Sequence, residues 1–188
     1  MKYEILKYGS PILRQKALPV PDVNKAVLRL ADDMLETMYA DRGLGLAAEQ
    51  IGLAQSVCVI DVPPDHDVAE PDGPPLNPAI AMPLVMINPV IVERKGTQQA
   101  EEGCLSFPKI YAQVTRALEV TVTFSDIKGE RRVLTVRGLL ARAVQHELDH
   151  LAGLLLVDRM SPIKKISLSG QLKRLKRESE EGASGGGE

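Results

Sequence analysis

One segment, residues 138–151, constrains the fold of this chain more than any other. Its apolar residues recur around a wide arc of a helix, which predicts a helix that is largely buried. These residues are Leu139, Leu140, Ala143, Val144, Leu148 and Leu151. The same segment carries two of the three histidines of the chain, His146 and His150. Since a buried imidazole without a partner costs free energy, the fold has to supply a partner for both rings.

The order His-Glu-Leu-Asp-His at residues 146–150 indicates what that partner is. Positions four residues apart on a helix lie about 40° apart, so His146 and His150 can bind a single metal ion. Glu147 points to the side of this pair, where it can move a proton without being a ligand. The alternative is a helix with one buried and one solvated histidine, and the apolar character of the segment favours the metal.

A catalytic site of the zinc type needs a third protein ligand and one open position. A third histidine six residues after His150 is excluded, because leucine stands there, and the later glutamates begin only at Glu178. Asp158 stays open as a candidate, although it follows the helix closely. Cys104, in the order Glu-Gly-Cys-Leu-Ser, would complete a Cys-His-His site. Taken alone, Cys104 is better explained as a buried thiol, as Cys58 is.

A third segment, residues 43–52, reads Gly-Leu-Gly-Leu-Ala-Ala-Glu-Gln-Ile-Gly. It is not a dinucleotide-binding fingerprint, because it follows a predicted helix instead of a strand. Its small residues let another chain approach the backbone closely, and Gln50 adds an amide donor. A glycine-rich turn with a solvated Gln50 is the alternative.

The remaining patterns predict a single α+β domain over residues 1–177. We expect antiparallel strands around the central helix that carries the two histidines, an amphipathic helix packed outside, and a C-terminal helix. The predicted strands are residues 56–62, 84–92, 118–124 and 132–136, and the other predicted helices are residues 24–39 and 161–177.

Two segments are predicted to lack regular structure. Seven of the 13 prolines lie in residues 63–83, which indicates a surface loop inserted between neighbouring strands. Residues 178–188 are rich in Gly, Ser and Glu and are predicted to be a disordered tail.

Charge and cysteine content limit the partners and the compartment. The formal net charge is −2, so no global basic field indicates DNA binding. No apolar stretch approaches the ~20 residues that a membrane-spanning helix needs. Two cysteines cannot form a disulfide framework and the N-terminus has no apolar signal region, so we expect a cytoplasmic location.

Three motifs in this order resemble the signature motifs of the peptide deformylase family. They are Gly-Leu-Gly-Leu-Ala-Ala-Glu-Gln, Glu-Gly-Cys-Leu-Ser and Gln-His-Glu-Leu-Asp-His-Leu. The resemblance covers residues 5–159. It implies a bacterial cytoplasmic enzyme that removes the formyl group from formyl-methionyl nascent polypeptides. It also implies one divalent metal ion, usually Fe²⁺ in the cell, with Zn²⁺, Ni²⁺ or Co²⁺ as alternatives in a purified sample.

The resemblance also implies residue roles. The metal ligands would be Cys104, His146 and His150. The proton would be moved by Glu147, and the formyl oxygen would be held by Gln50 and the backbone N–H of Leu105. The substrate-binding residues would be Gly43, Leu44, Gly45, Gly103, Leu139 and Ala143. The supporting ion pair would be Glu102 with Arg116.

Some features depart from the family pattern. Glu49 stands where a small or apolar residue or a proline is more usual, Tyr111 stands where some members carry a basic residue, and residues 63–83 form a longer loop. These departures bear on substrate preference and leave the ligands intact. The basic residues 164–177 suggest docking on ribosomal RNA, and a solvated helix face explains them equally well.

Overall fold

The computed structural model describes residues 1–184 of the 188-residue chain. The strands are β1 (Gly45–Ala47), β2 (Val57–Ile60), β3 (Leu84–Lys95), β4 (Gln98–Cys104), β5 (Phe107–Arg116), β6 (Glu119–Ser125) and β7 (Arg131–Arg137). The α-helices are α1 (Lys25–Ala40), α2 (Gly138–Leu151), α3 (Leu156–Arg159), α4 (Pro162–Ser167) and α5 (Ser169–Ser184). Because these helices and strands occur together in one unit, the protein is a single α+β domain.

Every strand pairing in the two sheets is antiparallel, as the sequence predicts. Five strands form one sheet in the order β1-β2-β3-β6-β7, and β4 and β5 form a separate hairpin. The two predicted strands that flank residues 63–83, β2 and β3, are neighbours in the sheet. The proline-rich segment is therefore inserted between adjacent strands, as expected.

Helices α1 and α2 pack against apolar residues of the sheet strands. Helix α1 begins after Asn24, whose side chain accepts hydrogen bonds from Ala26 N and Val27 N, so Asn24 is the helix cap. Met34 and Met38 of α1 pack with β2 residues in one core cluster. Leu140 and Val144 of α2 pack with the inward-facing residues of β6 in another. Helix α2 has the bounds that its apolar periodicity predicts.

The hairpin β4–β5 was not predicted as strands. Its second strand alternates between buried and exposed residues, with Ile110, Ala112 and Val114 facing a third core cluster. Strand β4 has almost no apolar residues, so only its pairing with β5 makes it a strand. The hairpin also carries one of the predicted metal ligands, because Cys104 is the last residue of β4.

The prediction for the C-terminus was wrong in two respects. Residues 161–177 form two helices, α4 and α5, with a break at Leu168. Helix α5 then continues to Ser184, so residues 178–184 of the expected disordered tail are helical. Ion pairs between side chains four residues apart support this extension, and they are Arg174–Glu178, Lys176–Glu180 and Arg177–Glu181. Residues 185–188 of the expected tail lie outside the described residues.

Among residues 1–184, no helix combines the length and the apolarity that crossing a membrane requires.

Candidate active site and metal centre

Three side chains of the types that bind transition metals meet between the hairpin and α2. The ligand atoms of Cys104, His146 and His150 all lie within 4.8 Å of one another. The Sγ atom of Cys104 is 3.2 Å from Nε2 of His150. The two histidines share one face of α2 because they stand four residues apart, and β4 ends opposite that face.

The electrostatics of this cluster favour a thiolate. Burial by itself would raise the pKa of the Cys104 thiol, but the charges and hydrogen bonds of the two histidines outweigh it and hold the pKa well below its usual range. The thiolate is the form of cysteine that binds metals. A sulfur and two imidazole nitrogens at these separations fit a divalent transition metal such as zinc or iron(II).

A carboxylate orients one of the two rings. The Nδ1 atom of His146 lies 3.2 Å from Oε2 of Glu102. Because a carboxylate accepts hydrogen bonds, Nδ1 carries the proton and Nε2 is left free for a metal. Burial by itself would raise the pKa of Glu102, but hydrogen bonds from His146 and Arg116 lower it to about 2.

Behind Glu102 lies a run of alternating charges. Arg116 donates two hydrogen bonds to Glu102, from Nε at 3.1 Å and from Nη2 at 2.9 Å. Its Nη1 group donates to Asp149 at 2.5 Å, and Asp149 also accepts from Nε of Arg159 at 2.9 Å. Since every buried charge in this run has an opposite partner, the run fixes Glu102 and, through it, the ring of His146.

The carboxyl group of Glu147 is enclosed next to the glycine-rich segment. Glu147 is buried, and its Oε2 atom has no hydrogen-bond partner among the described residues. Burial raises the pKa of Glu147 to about 7, although the two neighbouring histidines act in the opposite direction. A Cβ atom at Gly45 would lie 2.8 Å from the carboxyl carbon of Glu147, so this position requires glycine.

The amide of Gln50 is held in one orientation. Its Oε1 atom accepts a hydrogen bond from Ala47 N at 2.9 Å. Its Nε2 atom donates to Ser106 Oγ at 3.2 Å and lies 3.6 Å from Cys104 Sγ. The NH₂ group of Gln50 therefore faces the cluster of Cys104, His146 and His150.

A short N-terminal segment links Gln50 to the turn between β4 and β5. Leu6 N donates to the carbonyl of Gln50 at 2.8 Å. Nζ of Lys7 donates to the carbonyl of Leu105 at 3.0 Å, and Tyr8 N donates to the carbonyl of Ser106 at 2.9 Å. Three consecutive residues thus tie together the two segments that carry Gln50 and Leu105.

A cleft of about 710 Å³ opens onto this site. The residues predicted to bind the substrate all line it: Gly43, Leu44, Gly45, Gly103, Leu139 and Ala143. Six other predicted residues also line it: Gln50, Glu102, Cys104, Leu105, His146 and Glu147. His150 and Arg116 lie behind the lining, with 1% and 6% of their surface exposed.

Comparison with known proteins assigns the family. The sequence model of polypeptide deformylases matches residues 2–166. This chain belongs to the polypeptide deformylase family. The peptide deformylase of Nitrosococcus oceani is 47% identical over 161 residues, which are 86% of this chain and 88% of the relative. That of Thermus thermophilus is 44% identical over 166 residues, which are 88% and 85% of the two chains.

Solved deformylase structures have the same fold. The crystal structure of the deformylase from Thermus thermophilus matches with a TM-score of 0.80 at 39% identity, covering 94% of this chain and 99% of that one. A plant peptide deformylase matches with a TM-score of 0.83 at 35% identity, covering 97% and 93%.

Membership of the deformylase family gives the activity. The protein is a hydrolase that removes the formyl group from the N-terminus of nascent polypeptides. Deformylases are metal-dependent, and among the described residues Cys104, His146 and His150 have donor atoms close enough together to hold a metal ion.

Four residues of this deformylase site were missed by the sequence reasoning. Asp149 and Arg159 extend the ionic run behind Glu102. Lys7 and Arg142 line the cleft. Asp149 and Arg142 lie on the same helix as the histidines, so their positions near the site follow from helical geometry, whereas Lys7 and Arg159 reach it only through the tertiary fold.

The two unusual residues have different environments. Glu49 is fully buried and does not line the deformylase cleft, so it does not contact a substrate there. Tyr111 does line the cleft, is half exposed, and lies against Gly103.

Proposed function

We propose that Cys104, His146 and His150 bind the single divalent metal of this deformylase and that Glu147 moves the proton. The observation that carries the proposal is the convergence of three metal-binding atoms within 4.8 Å beside a cleft that Cys104, His146 and Glu147 line. The lowered pKa of Cys104 supports it further, since a thiolate is the ligand form.

A bound divalent ion would supply an activated water and an electrophilic partner for the formyl oxygen. Glu147 would accept a proton from the attacking water and would later donate it to the departing amine nitrogen. The carbon–nitrogen bond breaks, which gives formate and a free N-terminus. A pKa of about 7 suits Glu147 to both halves of this proton transfer.

Gln50 and Leu105 are proposed to hold the formyl oxygen. The Nε2 group of Gln50 faces the ligand cluster because its other hydrogen bonds fix the amide. The backbone N–H of Leu105 follows directly on the Cys104 ligand. Donors fixed in advance stabilise charge that develops on the oxygen, and loss of one typically costs ~10²–10³ in rate.

The substrate is proposed to lie in the cleft as an extended strand. The backbone of Gly43, Leu44 and Gly45 would pair with it on one side and Gly103 on the other, as in strand addition. The side chains of Leu44, Leu139 and Ala143 would then form an apolar pocket for the first side chain, usually Met.

Metal content and formate release from formyl-Met-Ala-Ser together test these assignments. We expect Glu147→Ala to keep about one metal ion per chain and to lose at least ~10²-fold in turnover, because the ligands remain while the proton carrier is gone. Glu101→Ala is the matched control, since Glu101 is an exposed carboxylate that also lines the cleft. Unchanged turnover of Glu147→Ala would exclude the proposed role.

We also propose that Fe²⁺ is the working metal in the cell. The equilibrium affinity of such a site favours Zn²⁺ over Fe²⁺, so availability and not affinity would select iron. An iron(II) ion with a thiolate ligand is sensitive to oxygen. We therefore expect protein prepared without air to be more active than protein prepared in air, and equal activity of the two would contradict the iron assignment.

Ribosome docking through residues 164–177 is a further part of the proposal, together with a bacterial cytoplasmic location. Within the described part of the chain, Lys164, Lys165 and Lys173 form no ion pair, so they are available to phosphates. Reversing all three charges to Glu is expected to reduce co-sedimentation with ribosomes while leaving formate release from a free peptide unchanged. Unaltered co-sedimentation would remove this part of the proposal.

A further inference from the structure

The side chain of Asn77, in the proline-rich segment, bonds to the backbone at the start of α2. Its Oδ1 atom accepts a hydrogen bond from Arg137 N at 2.9 Å, and its Nδ2 atom donates to the carbonyl of Arg137 at 3.1 Å. Arg137 is the N-cap residue of α2 and offers no capping hydrogen bond from its own side chain. The inserted segment therefore holds the backbone from which this helix starts.

Asn77 is itself fixed by a buried carboxylate. Asp67 accepts from Asn77 N at 2.9 Å and from Asn77 Nδ2 at 2.6 Å. The carbonyl of Asp67 also accepts from Leu76 N at 2.7 Å. Only 6% of Asp67 and 7% of Asn77 are exposed. The segment was expected to be a solvated surface loop, yet these two polar residues are built into the interior.

A second contact joins the segment to the same helix. Gly138, the first residue of α2, has a φ of +59°, and a Cβ atom there would collide with Cδ1 of Leu76. The carbonyl of Gly138 accepts a hydrogen bond from Gln98 Nε2 at 3.0 Å. Leu139, the next residue, lines the cleft. The position of Leu139 thus depends on what packs against Gly138.

We propose that Asn77 is a positioning residue which, with Leu76, sets how the pocket at Leu139 selects the first side chain of the substrate. This inference rests on the proposed function, because that function makes Leu139 part of the pocket. Leu139 lies within one turn of the contact with the inserted segment. His146 lies seven residues further along α2, about 10 Å away, and is held independently by Glu102. Loss of the contacts at the start of α2 therefore alters selection for the first side chain of the substrate and leaves metal binding intact.

The test compares Asn77→Ala with a control that the chain itself offers. The side chain of Asn88 makes the same pair of hydrogen bonds with the backbone of Val20. Its Oδ1 atom accepts from Val20 N at 2.8 Å, and its Nδ2 atom donates to the carbonyl of Val20 at 2.7 Å. Asn88 does not line the cleft, and its φ of +52° makes Ala strained there. Asn88→Ala is thus at least as disruptive to the fold as Asn77→Ala.

The measured quantity is the ratio of kcat/KM for formyl-Met-Ala-Ser to that for formyl-Ala-Ala-Ser. We expect Asn77→Ala to lower this ratio about fivefold, a part of what a shaped apolar pocket contributes to selection. Metal content should stay at one ion per chain. Leu76→Ala, which keeps every hydrogen bond of Asn77, should lower the ratio in the same direction, and Asn88→Ala should not change it.

An unchanged ratio in both Asn77→Ala and Leu76→Ala would overturn the proposal, and so would an equal fall in Asn88→Ala. The parent protein separates this failure from failure of the proposed function. If the parent releases formate and Glu147→Ala does not, the catalytic assignment stands and only the role of Asn77 is lost.

Discussion

Glu49 offers a direct test of how burial changes the energetics of this protein. It is fully buried, and neither of its carboxyl oxygens has a hydrogen-bond partner among residues 1–184. We consider Glu49→Gln, which keeps the shape of the side chain and removes its ability to ionise. The variant isolates the free-energy cost of the charge, because the volume of the side chain hardly changes.

The magnitude follows from the pKa. Burial, together with the negative charge of Glu147, raises the pKa of Glu49 from 4.5 to about 8. The folded protein therefore binds this proton more tightly than the unfolded chain does. The resulting stabilisation is complete below the unfolded pKa and is lost as the pH rises through the folded one. At ~1.36 kcal/mol per pKa unit, the parent should lose on the order of 3 kcal/mol of unfolding free energy between about pH 5 and pH 8.

Urea denaturation followed by circular dichroism, at several pH values and a fixed metal load, measures this loss. Glu49→Gln should lack the loss, so its stability relative to the parent should increase steadily from pH 5 to pH 8. Glu70→Gln changes an exposed carboxylate of the proline-rich segment and should remain parallel to the parent. A constant difference between Glu49→Gln and the parent across this range would refute the reasoning.

Three further substitutions test the site. Gly45→Ala would bring a Cβ atom to 2.8 Å from the carboxyl carbon of Glu147. We expect kcat to fall by ~10²-fold at unchanged metal content, because the added methyl group displaces this carboxyl group. An unchanged kcat would contradict that reasoning. Lys7→Met removes the donor to the Leu105 carbonyl. Steady-state kinetics should show that kcat falls by a larger factor than KM rises. Lys7→Arg, which keeps a donor, should retain most of the activity. Arg116→Met removes the cation that Glu102 and Asp149 share. It should lower the unfolding free energy by about 3–5 kcal/mol in urea, whereas a loss under ~1 kcal/mol would count against a tightly coupled network.

Sequence patterns predict those parts of the fold in which one element carries its own signal. Helix α2 was predicted with its observed bounds because its apolar periodicity is continuous. Strands β2, β3, β6 and β7 were found from their β-branched runs. Strand β4 was missed because Gln98–Cys104 is polar and becomes a strand only through its partner. The predicted C-terminal helix ended too early, because the Glu- and Ser-rich end of α5 resembles disordered sequence. The i,i+4 spacing of oppositely charged side chains did indicate that the helix continues.

The candidate site divides in the same way. The pair His146 and His150 is readable from helical spacing alone, whereas the approach of Cys104 required the family resemblance. The N-terminal contact of Lys7 has no local sequence signal, because 98 residues separate it from its partner. The hydrogen bonds of Asn77 to Arg137 could not be predicted, because the proline content of residues 63–83 indicated only a loop. Contacts between distant segments are properties of the tertiary fold, and no short-range pattern encodes them.

The run of alternating charges behind Glu102 has a practical consequence for handling the protein. Its outer member, Arg159, has 42% of its side chain exposed, whereas the side chains of Arg116 and Glu102 are 4% and 6% exposed. Dissolved ions screen charges that face water and barely affect charges inside a protein. The orientation of the His146 ring is thus insulated from ionic strength. Because His146 is a proposed metal ligand, we expect metal retention to be the same in dilute buffer and in concentrated salt. High-salt washes should then remove bound contaminants and leave the metal in place.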